Sequence, residues 1–135
     1  PGGMSAAYFL GRSGVDVTVF ERRDALGGIV RHVIPAFRIH DEAIDNDVRL
    51  MEAMGVKTII VTDISRDGTM TGPNTGMLAE LKKTVSIDII ASGGIRDITH
   101  IEALKQLDIY GAITGKAMYA ETLSLSQAIA LCGEA

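Results

Sequence analysis

The sequence predicts an α/β protein: a mostly parallel sheet of about four strands with flanking helices. Three observations carry this. From residue 41 onward, amphipathic stretches alternate with short apolar, β-branched runs in the order helix–strand–helix–strand–helix–strand–helix. Successive runs there lie about 25–30 residues apart, the spacing of right-handed parallel crossovers. The strand ends carry glycine, at Ala91–Gly94 and at Ile113–Ala117.

Each element follows from local pattern. The small residues of Gly2–Arg12 suit a helix, and Ser13-Gly14 its stop. Residues 15–20 alternate apolar and polar side chains and end at Glu21, which predicts a strand. Residues 22–40 lack a period and are expected to form a long loop. Asp41 is the expected N-cap of a helix with Ile44, Val48, Met51 and Met54 on one face, and Gly55 its C-cap. Thr58–Thr62 (TIIVT) reads as a strand buried on both faces. A helix at about 75–85 turns Leu78, Leu81 and Val85 inward. Strand 87–91 follows, then a helix with Ile98, Ile101 and Leu104 inward, strand 111–114, and a last helix over Leu123–Leu131.

Composition bounds the function. A length of 135 residues can bury a real core, and 47% hydrophobic content with a mean hydropathy of +0.23 favours a folded chain. A net charge of −4 and a pI near 5.3 give no bulk attraction to nucleic acid. No apolar run approaches the ~18 residues of a membrane span. The single Cys132 excludes an internal disulfide and any multi-cysteine metal site, which fits a reducing cytoplasm; no metal is expected. The chain opens at Pro1, inside what reads as a motif, so a fragment is expected. Residues 1–56 hold six Arg and no Lys, whereas 57–135 hold two Arg and five Lys, which agrees with two ancestries.

In parallel α/β architectures ligands gather at the carboxyl ends of strands. There the Gly93-Gly94 turn and the Gly115-Lys116 turn offer bare backbone N–H groups and one ammonium to an anion. Two such ends on successive strands, the second feeding a helical turn, form a phosphate site. Thr62 ends its strand with a hydroxyl directed toward the mouth. Asp63, just before the loop ISRDGTMTGPN, reads as a solvated turn carboxylate, and Asp67 within that loop reads equally as a solvated turn carboxylate and as a functional group.

The string TDISRDGTMTGPN, then ASGGI, then GKAMY, resembles the C-terminal part of the phosphoribosylformimino-aminoimidazole carboxamide ribotide isomerase family of histidine biosynthesis. The resemblance covers about residues 55–135. It implies the last three strands of a (β/α)8 barrel and an Amadori aldose–ketose isomerisation on a substrate with two phosphates, without a cofactor. By the same resemblance Thr62 assists catalysis, and Gly93, Gly94, Gly115 and Lys116 match one phosphate site. The family's two catalytic aspartates belong to the first and fifth strands, neither of which this sequence carries, so weak or no activity is expected.

Residues 1–56 carry a different resemblance. Pro1-Gly2-Gly3 opening a helix, a strand ending in Glu21, and Gly27-Gly28 resemble the FAD-binding segment of glutamate-synthase-small-subunit-like oxidoreductases. That implies Gly3 as the last fingerprint glycine, Glu21 on the adenosine ribose, and Gly27 and Gly28 near a flavin nucleotide, with FAD and NAD(P) as cofactors. The expected organisation is thus a partial Rossmann-like segment at 1–56 joined to a partial barrel at 57–135, with the join in Met51–Asp63. His32, His40, Arg22, Arg23, Arg31 and Arg38 read as solvated loop residues. Three functions follow: an isomerase fragment, an oxidoreductase fragment, or a phosphate-binding half-barrel scaffold. The expected partners are a phosphorylated small molecule and a second copy of the chain, because open strand edges invite association. If strand 15–20 takes the place of the barrel's fifth strand, Glu21 becomes a candidate acid/base group beside Thr62.

Overall fold

Four parallel strands lie side by side in the order in which the chain makes them. The computed structural model describes residues 2–133. Helix α1 (Gly2–Arg12) ends in a Schellman turn: Gly14 takes φ 80°, its N–H donates to the Gly11 carbonyl, and the Val15 N–H to that of Leu10. Because Val15 is tied to the helix end, β1 covers Thr18–Glu21 rather than 15–20. Gly11 lets α1 approach the chain's next long helix; a Cβ there would lie 2.6 Å from the Met54 carbonyl oxygen.

The segment expected to be one long loop contains a short helix, α2 (Gly28–His32). Arg31 holds it. Its Nε donates to the Leu26 carbonyl at 2.6 Å, and its guanidinium pairs with Asp45 and, at 3.7 Å, with Asp41. Arg31 is therefore a mostly buried brace, not a solvated side chain, and the His32 ring lies 3.2 Å from the Ala25 carbonyl. Helix α3 (Asp41–Ala53) starts one residue earlier than expected: His40 occupies the cap position without a side-chain bond, and Asp41 is the first helical residue. Ile44, Val48 and Met51 are buried as its period requires, and Gly55 follows the helix at φ 97°.

Strand β2 (Thr58–Thr62) leads through a polar loop to α4 (Thr75–Thr84), where Leu78, Leu81 and the following Val85 are buried. The Asn74 side chain caps α4 by accepting from the Met77 N–H at 3.2 Å. Strand β3 (Asp88–Ser92), α5 (Ile98–Gln106), β4 (Gly111–Ile113), a one-turn α6 (Lys116–Tyr119) and α7 (Leu125–Cys132) complete the chain.

The sheet is covered on one face only. Sequential parallel strands joined by right-handed crossovers place every connecting helix on the same side. Under those helices Val19, Ile59, Val61, Ile89 and Ala91 are buried. The register aligns Phe20 with Ile60, Ile60 with Ile90 and Ile90 with Gly111, so the alternate residues form a second, open face. This corrects the expectation that Thr58–Thr62 is buried on both sides: Thr58, Ile60 and Thr62 are only half-buried. A single sheet crosses residue 56, since β1 pairs with β2 throughout its length. No helix among the described residues is long and apolar enough to cross a membrane.

Candidate functional site

The carboxyl ends of β3 and β4 and the loop after β2 enclose a cleft of about 130 Å³. Ser92, Gly93, Gly94 and Ile95 form one wall, Ile113, Gly115 and Lys116 a second, and Asp67, Gly68 and Met70 the third. The four residues assigned to phosphate from the sequence thus meet in one place.

The cleft exists because of a hydrogen-bond hub at Asp63. This carboxylate is buried, with only 8% of the residue exposed. Its Oδ1 accepts from the Ser65 hydroxyl at 2.6 Å and the Ser65 N–H at 2.9 Å, and its Oδ2 from the Asn74 amide at 2.9 Å. The Arg66 guanidinium stands 3.8 Å away. The Ser65 hydroxyl holds the Asp63 carboxyl below the usual carboxylate range, and Asn74, the Ser65 N–H and Arg66 add to this against the opposing effect of burial. Asp63 is therefore the organiser of its loop and not a solvated turn residue. The spacing of Asp, Ser two residues on and Asn eleven residues on was the available sequence signal.

The loop folds back so closely that its neighbours must be glycine. Gly93 takes φ 100°, and a Cβ there would lie 2.8 Å from the Asp63 carbonyl oxygen. Gly94 takes φ 80°, and its Cβ would lie 2.3 Å from the Gly72 carbonyl oxygen, while the Gly72 N–H donates to the Gly94 carbonyl at 2.8 Å. Gly115 differs, with φ −112° and open space where its Cβ would be. Among the described residues the N–H groups of Gly93, Gly94 and Gly115 donate to no protein acceptor. Backbone donors without an acceptor at a cleft beside an ammonium are the elements of an anion site. Lys116 supplies the ammonium, and its Nζ donates to the Gly68 carbonyl at 2.9 Å. Asp67 contributes an opposing charge on the loop side.

Thr62 adjoins this site without lining it. It pairs with Ser92 across β2 and β3, and both side chains stand on the open face at the mouth. Glu21 does not join it. The register places Glu21 beside Val61, so its side chain leaves the opposite face of the sheet from Thr62. Its Oε1 accepts from the N–H groups of Arg22 at 2.7 Å and Arg23 at 3.0 Å. The geometry thus separates the two groups expected to share acid/base work.

The residues assigned to a nucleotide cofactor do not form one cradle. Gly27 is buried at φ 125°, and a Cβ there would lie 2.8 Å from Ile44 Cγ2, so protein fills the space beside it. Gly28 begins α2, and Gly3 lies exposed on α1. Gly27 alone of Gly3, Glu21, Gly27 and Gly28 borders the largely apolar cavity of about 230 Å³ between α1, α2 and α3. With the Glu21 carboxylate turned onto its own backbone, these residues do not fit FAD or NAD(P). Among the described residues no three His, Cys, Asp or Glu side chains stand together as a metal site.

A family model described as histidine biosynthesis protein matches residues 40–124, and one described as NAD(P)-binding Rossmann-like domain matches residues 1–56. The two overlap along α3. Curated relatives named 1-(5-phosphoribosyl)-5-((5-phosphoribosylamino)methylideneamino)imidazole-4-carboxamide isomerase resemble the C-terminal part. That of Clostridium beijerinckii is 67% identical over 84 residues, which is 62% of this chain and 35% of the relative. That of Clostridium botulinum is 68% identical over 79 residues, 58% of this chain and 33% of the relative. The chain thus spans about a third of the length of the curated relatives it matches. A crystal structure of the Amycolatopsis orientalis BexX/CysO complex shares the fold, with a TM-score of 0.57 and 17% identity over 87% of this chain and 40% of that one.

Proposed function

The chain belongs to the histidine biosynthesis protein family, and from that premise we propose that it carries the phosphate-binding end of an aldose–ketose isomerase. Its ligand is a phosphorylated small molecule whose phosphate sits between the ends of β3 and β4. The observation that carries this reading is the convergence of Gly93, Gly94, Gly115 and Lys116 on one cleft, with glycine N–H groups that no protein atom accepts among the described residues. Thr62 and Ser92 lie at the edge of that cleft, where they position the sugar. Proton transfer to and from carbon needs a carboxylate within hydrogen-bond reach, ~3 Å. Glu21 faces away, Asp63 is committed to its loop, and Asp67 lines the phosphate cleft, which Thr62 does not, so this 135-residue chain binds substrate and turns it over weakly or not at all.

Inorganic phosphate tests the binding. It should raise the melting temperature of the wild-type chain, since a ligand that binds only the folded state stabilises it. The effect should weaken in Gly115→Ala, whose added Cβ enters the cleft side of the turn and meets no protein atom within 4 Å. An equal shift in both proteins would remove the reading.

The oxidoreductase reading rests on the Rossmann-like match to residues 1–56. The placements of Gly3, Glu21, Gly27 and Gly28 oppose it, and a yellow protein purified with stoichiometric flavin would restore it. The two-part organisation, with a Rossmann-like segment at 1–56 and barrel strands at 57–135, is part of the same proposal.

A further inference from the structure

We propose that two copies of this chain close into one eight-stranded parallel barrel, β4 of each copy pairing with β1 of the other. The sheet is an arc of such a barrel: strands in chain order, all helices outside, and an inner face left open. The middle of that face is apolar, with Thr18 and Thr58 at its amino-terminal rim and Thr62 and Ser92 at its carboxyl rim. Phe20 is 73% exposed and Ile113 46%, with Ile60 and Ile90 half-buried between them. Among the described strand residues the one charged member of it is Asp88, at the amino-terminal rim, so covering the face strands no charge in its interior.

A second copy fits the edges as well as the face. β1 and β4 each leave one side of the ladder unpaired, and both run the same way. Rotation by a half turn about the strand direction brings β4 beside β1 of the other copy, parallel, at both seams together. Closure then stops at two copies, because eight parallel strands complete a barrel of this kind. The helix layer agrees. At the β1 edge, α1 exposes Phe9 and Leu10; beyond α5, toward the β4 edge, α7 exposes Leu125 and Ile129 one turn apart. In the closed assembly these two apolar helix faces adjoin, which also shields Ala112, left exposed at the β4 edge. The carboxyl-end mouth of the barrel then carries two phosphate clefts related by the two-fold axis.

The test is the mass of the wild-type chain in solution and its response to charges on the open face. Light scattering at tens of micromolar should give about twice the 14.3 kDa of one chain. Phe20→Asp and Ile113→Lys replace side chains exposed in a single copy, so each should keep the far-UV circular dichroism and weaken association at least about tenfold. In the wild-type chain, amide exchange at Thr18–Glu21 and Gly111–Ile113 should slow as concentration rises, a readout that depends on no variant. Three results overturn the proposal: a wild-type monomer at these concentrations, open-ended oligomers, or a dimer whose exchange at both edges does not depend on concentration. A monomer that dimerises only with an added barrel fragment would assign the open face to a different chain. Because association is read as mass, this outcome is independent of whether phosphate binds.

Discussion

The Lys116 ammonium and the Gly68 carbonyl meet at 2.9 Å across the mouth of the cleft, joining the start of α6 to the loop after β2. That bond parks the Lys116 ammonium where an anion in the cleft can recruit it without a large rearrangement. It also couples the loop to the ligand: an anion that draws Lys116 inward loosens Gly68. Lys116→Ala should therefore weaken phosphate binding and speed amide exchange in residues 64–70, whereas Lys83→Ala, on the exposed surface of α4, should do neither. Titration calorimetry with inorganic phosphate, paired with hydrogen exchange, separates these outcomes.

Asp67 stands opposite Lys116 in the same cleft and opposes an incoming phosphate. Asp67→Asn should tighten phosphate binding by about two- to tenfold, the range for removing a like charge from a partly solvated site at low salt. The gain should shrink as salt rises. Unchanged or weaker affinity at low salt would show that the anion does not approach the loop side.

The glycines of the site divide by cause, and stability measurements distinguish them. Gly94→Ala meets both a positive φ and the Gly72 carbonyl, so it should destabilise the fold by at least roughly 1–3 kcal/mol in urea unfolding. Gly115→Ala meets neither and should stay within about 0.5 kcal/mol of wild type while still weakening phosphate binding. Equal losses at both positions would contradict the division.

Acid should loosen the loop before the core. Asp63 ionises more readily folded than unfolded, so its contribution is fully present above the ordinary value of 3.8 and is lost as pH falls through the lower folded value. Asp97, which accepts from the Thr99 hydroxyl and N–H at the start of α5, is held down to about 2 chiefly by that hydroxyl and by Arg96. Its contribution to the α5 cap fades between about 4 and 2 by the same sign. A carbon-detected titration should place both Asp63 and Asp97 below the ordinary carboxylate value of 3.8. An Asp63 midpoint at or above 3.8 would refute the hub.

Much of the fold is legible in the sequence because periodicity states it. Leu78, Leu81 and Val85 repeat at helical spacing and are buried, and TIIVT forms the strand its β-branched content calls for. The four residues that line the cleft, and that we propose hold phosphate, are legible because glycine at consecutive strand ends has a backbone purpose whatever the tertiary detail. The unread parts depend on distant partners. Whether Ile60 is covered depends on which side the helices take, and local pattern cannot state that. The facing of Glu21 depends on its register with Val61. The five-residue α2 depends on Arg31 finding Asp41 and Asp45 on another helix. Asp63 looks like a loop carboxylate until the chain returns Asn74 to it.

The most direct test of the central claim is a titration of the labelled wild-type chain with inorganic phosphate, followed amide by amide. The account predicts saturable shifts at Gly93, Gly94, Gly115 and Lys116, smaller ones at Gly68 and Ser92, and none around Gly27. Shifts confined to scattered surface lysines, or centred on α1 and α2, would contradict it.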